Sequence, residues 1–359
     1  MGELLSPTLE LSQRLGQRWV NIETARSLAR ETRDQLTEVF VDIDSDDTSI
    51  VVLGSLGREE FTTGSDIDWT LLVDGISDPN HHALSIIIGD MINTWASKPV
   101  GREGTFGTFV SSHDLIHKIG GEEDTNRNLT RRLLLLLEST RVGRPFALER
   151  VTKNILKRYL LEDQSFWRGT GGYGHHIPHF LLNDFARFWR TMAVDFAFKL
   201  RERSGKGWAI RNIKLRMSRK LLYVAGLLAC FRCHLDFVPQ HPRPEELFRN
   251  EEFRPAVVDF LSSIFSPPPL DIVASFLLDY PGPDGTASKL FGAYDRFLGM
   301  LSDSQTRDHL DGLPEGAGES DAVYQQARDI SHHFRDALLD LFFDTKTELG
   351  QLTRLYGVF

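Results

Sequence analysis

The period of apolar positions changes once along the chain. Thr48–Leu53 (T-S-I-V-V-L) and residues 67–73 (I-D-W-T-L-L-V) are short, nearly continuous runs of apolar and β-branched residues, the pattern of strands buried on both faces. Ahead of them, Leu9, Leu11, Leu15, Val20, Ile22, Leu28, Leu36 and Val41 are spaced for one buried stripe, predicting a helix or helix pair over 7–41 that the acidic cluster 42–47 ends. Behind them, Asp78-Pro79 starts a crossover helix over 80–96, and 105–110 alternates like a third strand. From Asn128 the period is helical, over 128–138, 146–161, 178–203, a stretch beginning at Trp208, and 321–349. Residues 1–127 are therefore expected to form an α/β domain, a small mixed sheet with helices. Residues 128–359 are expected to form an all-α domain.

The two strands matter for what joins them. Val51 to Val73 reads V-V-L-G-S-L-G-R-E-E-F-T-T-G-S-D-I-D-W-T-L-L-V. In extended chain, side chains at i and i+2 leave the same face, so Asp66 and Asp68 point to one spot. Two adjacent acids entering a buried strand repel each other unless a cation neutralises them. Mg²⁺, a hard ion, is held through one or two carboxylates plus the phosphates of a substrate. Upstream, Gly54 lets backbone N–H groups approach a phosphate closely, and Ser55 adds a hydroxyl donor. A short helix from Leu56 to Phe61 is expected next. The roles expected are metal ligation by Asp66 and Asp68, phosphate contacts by Gly54 and Ser55, charge stabilisation by Arg58, and orientation of the strand turn by Ser65.

The spacing Gly54-Ser55-x-Gly57-Arg58-x-Glu60, then Ser65-Asp66-x-Asp68, resembles the signature of the DNA polymerase β nucleotidyltransferase superfamily. The G-R-x-E centre looks most like the branch of bacterial signalling-protein uridylyltransferases, with Ser55 where that branch commonly has a second glycine. The specific match covers about twenty residues, with weaker similarity to about Arg144. The resemblance implies a nucleotidyltransferase fold for 1–127, closed over its nucleotide by the helical 128–359. It implies a metal-dependent transferase moving a nucleoside monophosphate from an NTP to an acceptor, with Mg²⁺ or Mn²⁺ on Asp66 and Asp68 and the triphosphate gripped at Gly54 and Ser55. The acceptor implied is a protein side chain. Related members that make cyclic or linear oligonucleotides, or extend RNA 3′ ends, keep a second nucleotide or RNA open as acceptor. A catalytically weak nucleotide-binding sensor or scaffold is the non-enzymatic alternative. Superfamily members usually add a third carboxylate from a later strand. Asp114, after the third strand, is the candidate here, with Glu103 behind it, although Asp114 equally suits the cap of a helix starting at Leu115.

Composition narrows the partners. The 359 residues carry a net charge of -9, which argues against nucleic-acid binding by the surface as a whole. Against that background, Lys199, Arg201, Arg203, Lys206, Arg211, Lys214, Arg216, Arg219 and Lys220 crowd one helical hairpin. Arg211 and Lys214, with Ser218, fall on one helix face at i, i+3 and i+7. They are candidates to reach the γ-phosphate or to hold an acidic or RNA acceptor. Asn183, Asp184, Arg187 and Arg190 are placed to pair with that hairpin or line the same cleft. Cys230 and Cys233 supply half a zinc site at most and read as core thiols. His175, His176 and His179 follow the glycine-rich run 169–174, which lacks the lysine and flanks of a P-loop. No apolar run approaches membrane-spanning length, and M-G-E-L-L-S-P lacks a basic-then-apolar leader. The expectation is a cytoplasmic protein with no membrane partner.

Overall fold

The computed structural model describes residues 5–41, 43–95, 109–168, 174–202, 204–240 and 254–357. Helix dominates, around one small mixed sheet of order β3-β2-β1-β4. β1 (Thr48–Leu53) and β2 (Asp68–Val73) are antiparallel, running from Thr48 opposite Val73 to Leu53 opposite Asp68. β3 (Phe109–Ser111) lies parallel to β2, and β4 (Thr140–Arg141) is antiparallel to β1. The sheet is thus the small mixed one expected, with β4 as an addition that two residues of sequence do not announce. Of the strand expected over 105–110, residues 105–108 lie outside the described residues, as does Glu103.

Both faces of the sheet are covered, as the continuous apolar runs require. Ile50, Val52, Leu71 and Val73 pack with Ala29, Leu36 and Phe40 of helix Val20–Phe40 and with Ile88 and Ile92 of helix Asn80–Trp95. The alternate residues Val51, Leu53 and Leu72 join a second core with Leu129, Leu133 and Val151 from helices Asn126–Leu137 and Phe146–Glu162. That second core runs without interruption into the C-terminal helices as far as Leu352.

The 7–41 stretch forms two helices, Pro7–Leu15 and Val20–Phe40, and they anchor far from the sheet in sequence. Ser6 caps the first, accepting from Leu9 N–H. Asp271 accepts from the N–H and hydroxyl of Thr8 and from Arg26. Asp295 accepts from the N–H groups of Asn21 and Ile22, closing an N-terminus that lacks a side-chain cap of its own. Trp19 stacks on Phe291 at 4.6 Å between ring centroids.

Helices His179–Glu202 and Trp208–Lys214 form the expected cationic hairpin. Beyond Lys214 the second arm continues through a π-helical turn, Leu215–Arg219, into Lys220–Arg232, and a further π turn, Cys233–Phe237. The stretch 321–349 divides into Ala322–Phe343 and Glu348–Leu352. Cys230 and Cys233 are free, buried thiols held above the usual cysteine range by burial. Among the described residues, no single helix is long and apolar enough to cross a membrane.

Candidate functional site

Pairing of Leu53 with Asp68 brings the end of β1 against the start of β2. Gly54 follows at φ +64°, a left-handed conformation that a side chain disfavours. A Cβ placed there would collide with Oδ2 of Asp68. Glycine is therefore needed twice over, for the turn and for the close approach of the Asp68 carboxylate to the backbone. Gly54–Gly57 makes a single helical turn, shorter than the helix expected over 56–61. Half-buried Ser55 sits within it, and its carbonyl accepts from Glu60 N–H at 2.8 Å.

Asp66 lies just ahead of β2, exposed, and Asp68 opens the strand, half-buried, with Ile67 buried between them. Burial, the charge of Asp66 and the charge of Glu138 together push the Asp68 carboxyl up to about 6, against the pull of Arg219 and Arg58. Ser65 shapes the approach: its hydroxyl accepts from Thr62 N–H at 3.1 Å and lies 3.0 Å from Thr62 Oγ1. This is the turn-orienting role read from the sequence.

Facing the acids is a cleft of about 390 Å³ lined by Gly64, Asp66, Ile210, Arg211, Lys214, Arg307, Asp308 and Asp311, within the range of small-molecule sites. Burial and the neighbouring Arg307 push the Lys214 ammonium down to about 8, with Asp66 pulling the other way and Arg219 and Arg58 adding to the depression. Arg307 hydrogen-bonds Thr62 Oγ1 at 3.3 Å and crosses Gly64 so closely that a Cβ there would lie 2.9 Å from its side chain. Arg211 also lines an adjoining cleft of about 420 Å³ with Glu202, Ser204, Lys206, Gly207 and Asp311.

Arg58 stands elsewhere. Its guanidinium is buried behind the turn, donating to Glu60 at 2.9 Å and pairing with Glu138. Burial alone would depress it, yet Glu60 and Glu138 hold it above the usual arginine range. Glu60 also accepts from the Tyr294 hydroxyl at 2.7 Å. Glu59, at φ 59°, is held by Arg26, Arg30 and Arg33 of helix Val20–Phe40. The charged centre of the motif is thus a buried anchor for the Gly54 turn, and no cleft-facing cation comes from it.

Asp114 lies away from the acids. β3 is parallel to β2, with Ser111 beside Val73, so a residue after β3 emerges at the opposite end of β2 from Asp68. Five residues at about 3.3 Å each separate those ends, roughly 16 Å. Ser111 caps the short helix Ser112–Ile116, and Asp114 pairs with Lys118 at 2.9 Å. The third carboxylate beside Asp68 is Glu138, two residues before Thr140, which pairs with Val52 at the Asp68 end of β1. Glu138 is ion-paired with Arg58 and, at 3.5 Å, with Arg219.

Arg219 belongs to the cations expected in the hairpin, but its place beside Glu138 does not follow from helical spacing, because the π turn Leu215–Arg219 inserts one residue into the period. Ser218, expected in line with Arg211 and Lys214, is buried and donates to Lys214 O at 3.2 Å. Asp184 likewise serves packing: it accepts from Arg132 at 3.1 Å and from the Tyr159 hydroxyl at 2.5 Å.

The donor set fits a hard divalent cation of the Mg²⁺ or Mn²⁺ kind. Two carboxylate side chains lie close enough to interact, and burial together with the charge of Asp66 raises Asp68, a load that a cation would relieve. Among the described residues no group of three His, Cys, Asp or Glu side chains is placed to hold a metal ion, so an ion on Asp66 and Asp68 would need oxygens from elsewhere, as Mg²⁺ commonly takes them from phosphates. No family model matches this chain, and no curated protein or solved structure matches it.

Proposed function

We propose that this chain is a metal-dependent nucleotidyltransferase of the polymerase β superfamily. In this reading residues 1–127 form the transferase domain and 128–359 the helical domain that closes the nucleotide cleft. It moves a nucleoside monophosphate from an NTP to an acceptor hydroxyl, a protein side chain in the favoured form, and releases pyrophosphate. The observation that carries the reading is the meeting of two charges in one cleft: Asp66, with Asp68 close behind it, lines the cleft together with Lys214, Arg211 and Arg307.

Asp66 and Asp68 supply carboxylate oxygens to Mg²⁺ or Mn²⁺. The ion, when bound, neutralises the triphosphate and lowers the pKa of the attacking hydroxyl. Lys214 and Arg307 balance charge on the β and γ phosphates, and on the pyrophosphate as its bond to the α-phosphorus breaks. Ser55 and the backbone after Gly54 position the phosphates. Arg58 acts indirectly, by fixing Glu138 beside Asp68.

One observation favours a nucleotide-binding sensor as the second reading: the third carboxylate, Glu138, is occupied by two arginines. Incubation with each α-³²P-labelled NTP and Mg²⁺ or Mn²⁺, alone and with cell lysate, separates the two readings, with Asp66→Asn/Asp68→Asn as control. Wild-type-only transfer of label to a protein, an RNA or a nucleotide product supports the transferase and names its acceptor. NTP binding without transfer supports the sensor.

A further inference from the structure

The cationic hairpin divides between two faces of its second arm. Arg211 and Lys214 line the acid-lined cleft, and Arg219 pairs with Glu138. Arg216 and Lys220 turn the other way, toward helix Ala322–Phe343, whose residues Arg328, His332 and Arg335 share one face at helical spacing. The two helices are tied by Asn212: its side-chain oxygen accepts from Arg216 at 2.7 Å and from the Tyr324 hydroxyl at 3.1 Å. Trp208 packs on Tyr324 at 4.8 Å between ring centroids.

Charge balance sets this helix–helix surface apart. Arg335 is paired with Asp336 at 2.7 Å, and Asp329 lies near His332. Among the described residues, Arg216, Lys220 and Arg328 make no ion pair with a carboxylate, and Arg328 Nε is buried without a hydrogen-bond partner. All three are half-buried, so water screens them only in part. Burial and the charges of Arg216 and Arg335 hold Lys220 below the usual lysine range, and burial with the charges of Arg335, Arg216 and Arg328 does the same to His332. A chain of net charge -9 has carboxylates to spare, yet none is paired with these three cations among the described residues.

We propose that the cationic surface where 208–220 packs on Ala322–Phe343 binds a compact oligophosphate anion, free or as the phosphate tail of a nucleotide, through Arg216, Lys220 and Arg328. Arginine forks match phosphate oxygens and lysine adds a point charge. Three cations gathered where two helices pack suit a di- or triphosphate. The inference stands apart from the reading of the acid-lined cleft, because no residue is shared.

Titration calorimetry on the full chain tests it with inorganic pyrophosphate, tripolyphosphate and ATP, in the absence of divalent metal. Lys220→Gln/Arg328→Gln is expected to lose this site, with at least a tenfold weaker affinity for pyrophosphate, whereas Lys214→Gln/Arg307→Gln retains it. Similar affinities for pyrophosphate and ATP identify a free oligophosphate; ATP binding tenfold tighter identifies a nucleotide tail. Recovery of binding by Arg328→Lys, with an unchanged melting curve, separates recognition from folding. Pyrophosphate binding unaltered in Lys220→Gln/Arg328→Gln overturns the proposal, as does binding of single-stranded RNA but not oligophosphates through these residues.

Discussion

Gly54 and Asp68 are locked together: the backbone at Gly54 turns through φ +64° and passes so close to the Asp68 carboxylate that no side chain fits between them. Gly54→Ala forces one of the two to move. The left-handed backbone costs about 1–2 kcal/mol, and an ångström of displacement at a reacting centre costs on the order of 100-fold in rate. If the chain acts as the proposed transferase, the expected outcome is an activity lowered about 100-fold, with a thermal midpoint only a few degrees below wild type. Radiolabel transfer and a melting curve measured together check it, and a fully active variant contradicts the tight packing.

Asp68 beside the cleft and Lys214 in its lining are shifted in opposite senses. In the proposed transferase Asp68 must be ionised to hold a metal, so activity should rise with pH through about 6. In the same reading Lys214 must be protonated to balance phosphate, so activity should fall through about 8. The kcat/KM profile, which reports free-enzyme groups, is therefore expected to be bell-shaped between those values. Lys214→Met should lower the plateau and abolish the alkaline limb.

Arg58 offers a distinction between an anchor and a phosphate ligand. Arg58→Met leaves Glu60 buried with only the Tyr294 hydroxyl, and Glu138 with only Arg219. Breaking a buried pair by removing one partner costs about 3–5 kcal/mol. Chemical denaturation should show a loss of that order, and Asp68 should titrate higher once a neighbouring cation is gone. A variant of wild-type stability with a weakened KM for NTP would instead make Arg58 a phosphate ligand.

Asp114 and Glu138 compete for the place of third carboxylate, and paired variants separate them. Asp114→Ala removes an exposed carboxylate and its Lys118 contact, and transfer should stay within about twofold of wild type, as for surface substitutions of about 0.5 kcal/mol or less. Glu138→Gln removes a charge that raises Asp68, so the acidic limb should move to lower pH. The opposite pattern would return Asp114 to the site.

The sequence by itself determined the pieces whose physics is local. The strands 48–53 and 67–73 and the helices at 80–96 and 146–161 fall within a residue or two of the observed elements, because burial on both faces or on one stripe is written in the period of nearby residues. The Gly54 turn, the acid pair and the cation-rich hairpin were legible for the same reason. Tertiary structure alone decided which charged groups meet. Asp114 follows a strand, but the parallel pairing of β3 with β2 carries it to the wrong end. Glu138 looks like the end of a helix until two residues of β4 pair with β1 and bring it beside Asp68. Arg219 reaches Glu138 only because a π turn shifts the helical period, and Arg307 reaches Gly64 across more than two hundred residues. Arg58 carries the charge of a phosphate ligand, yet Glu60 and Glu138 bury it. Charge type is a property of one residue, whereas pairing and burial depend on contacts between segments far apart in the chain.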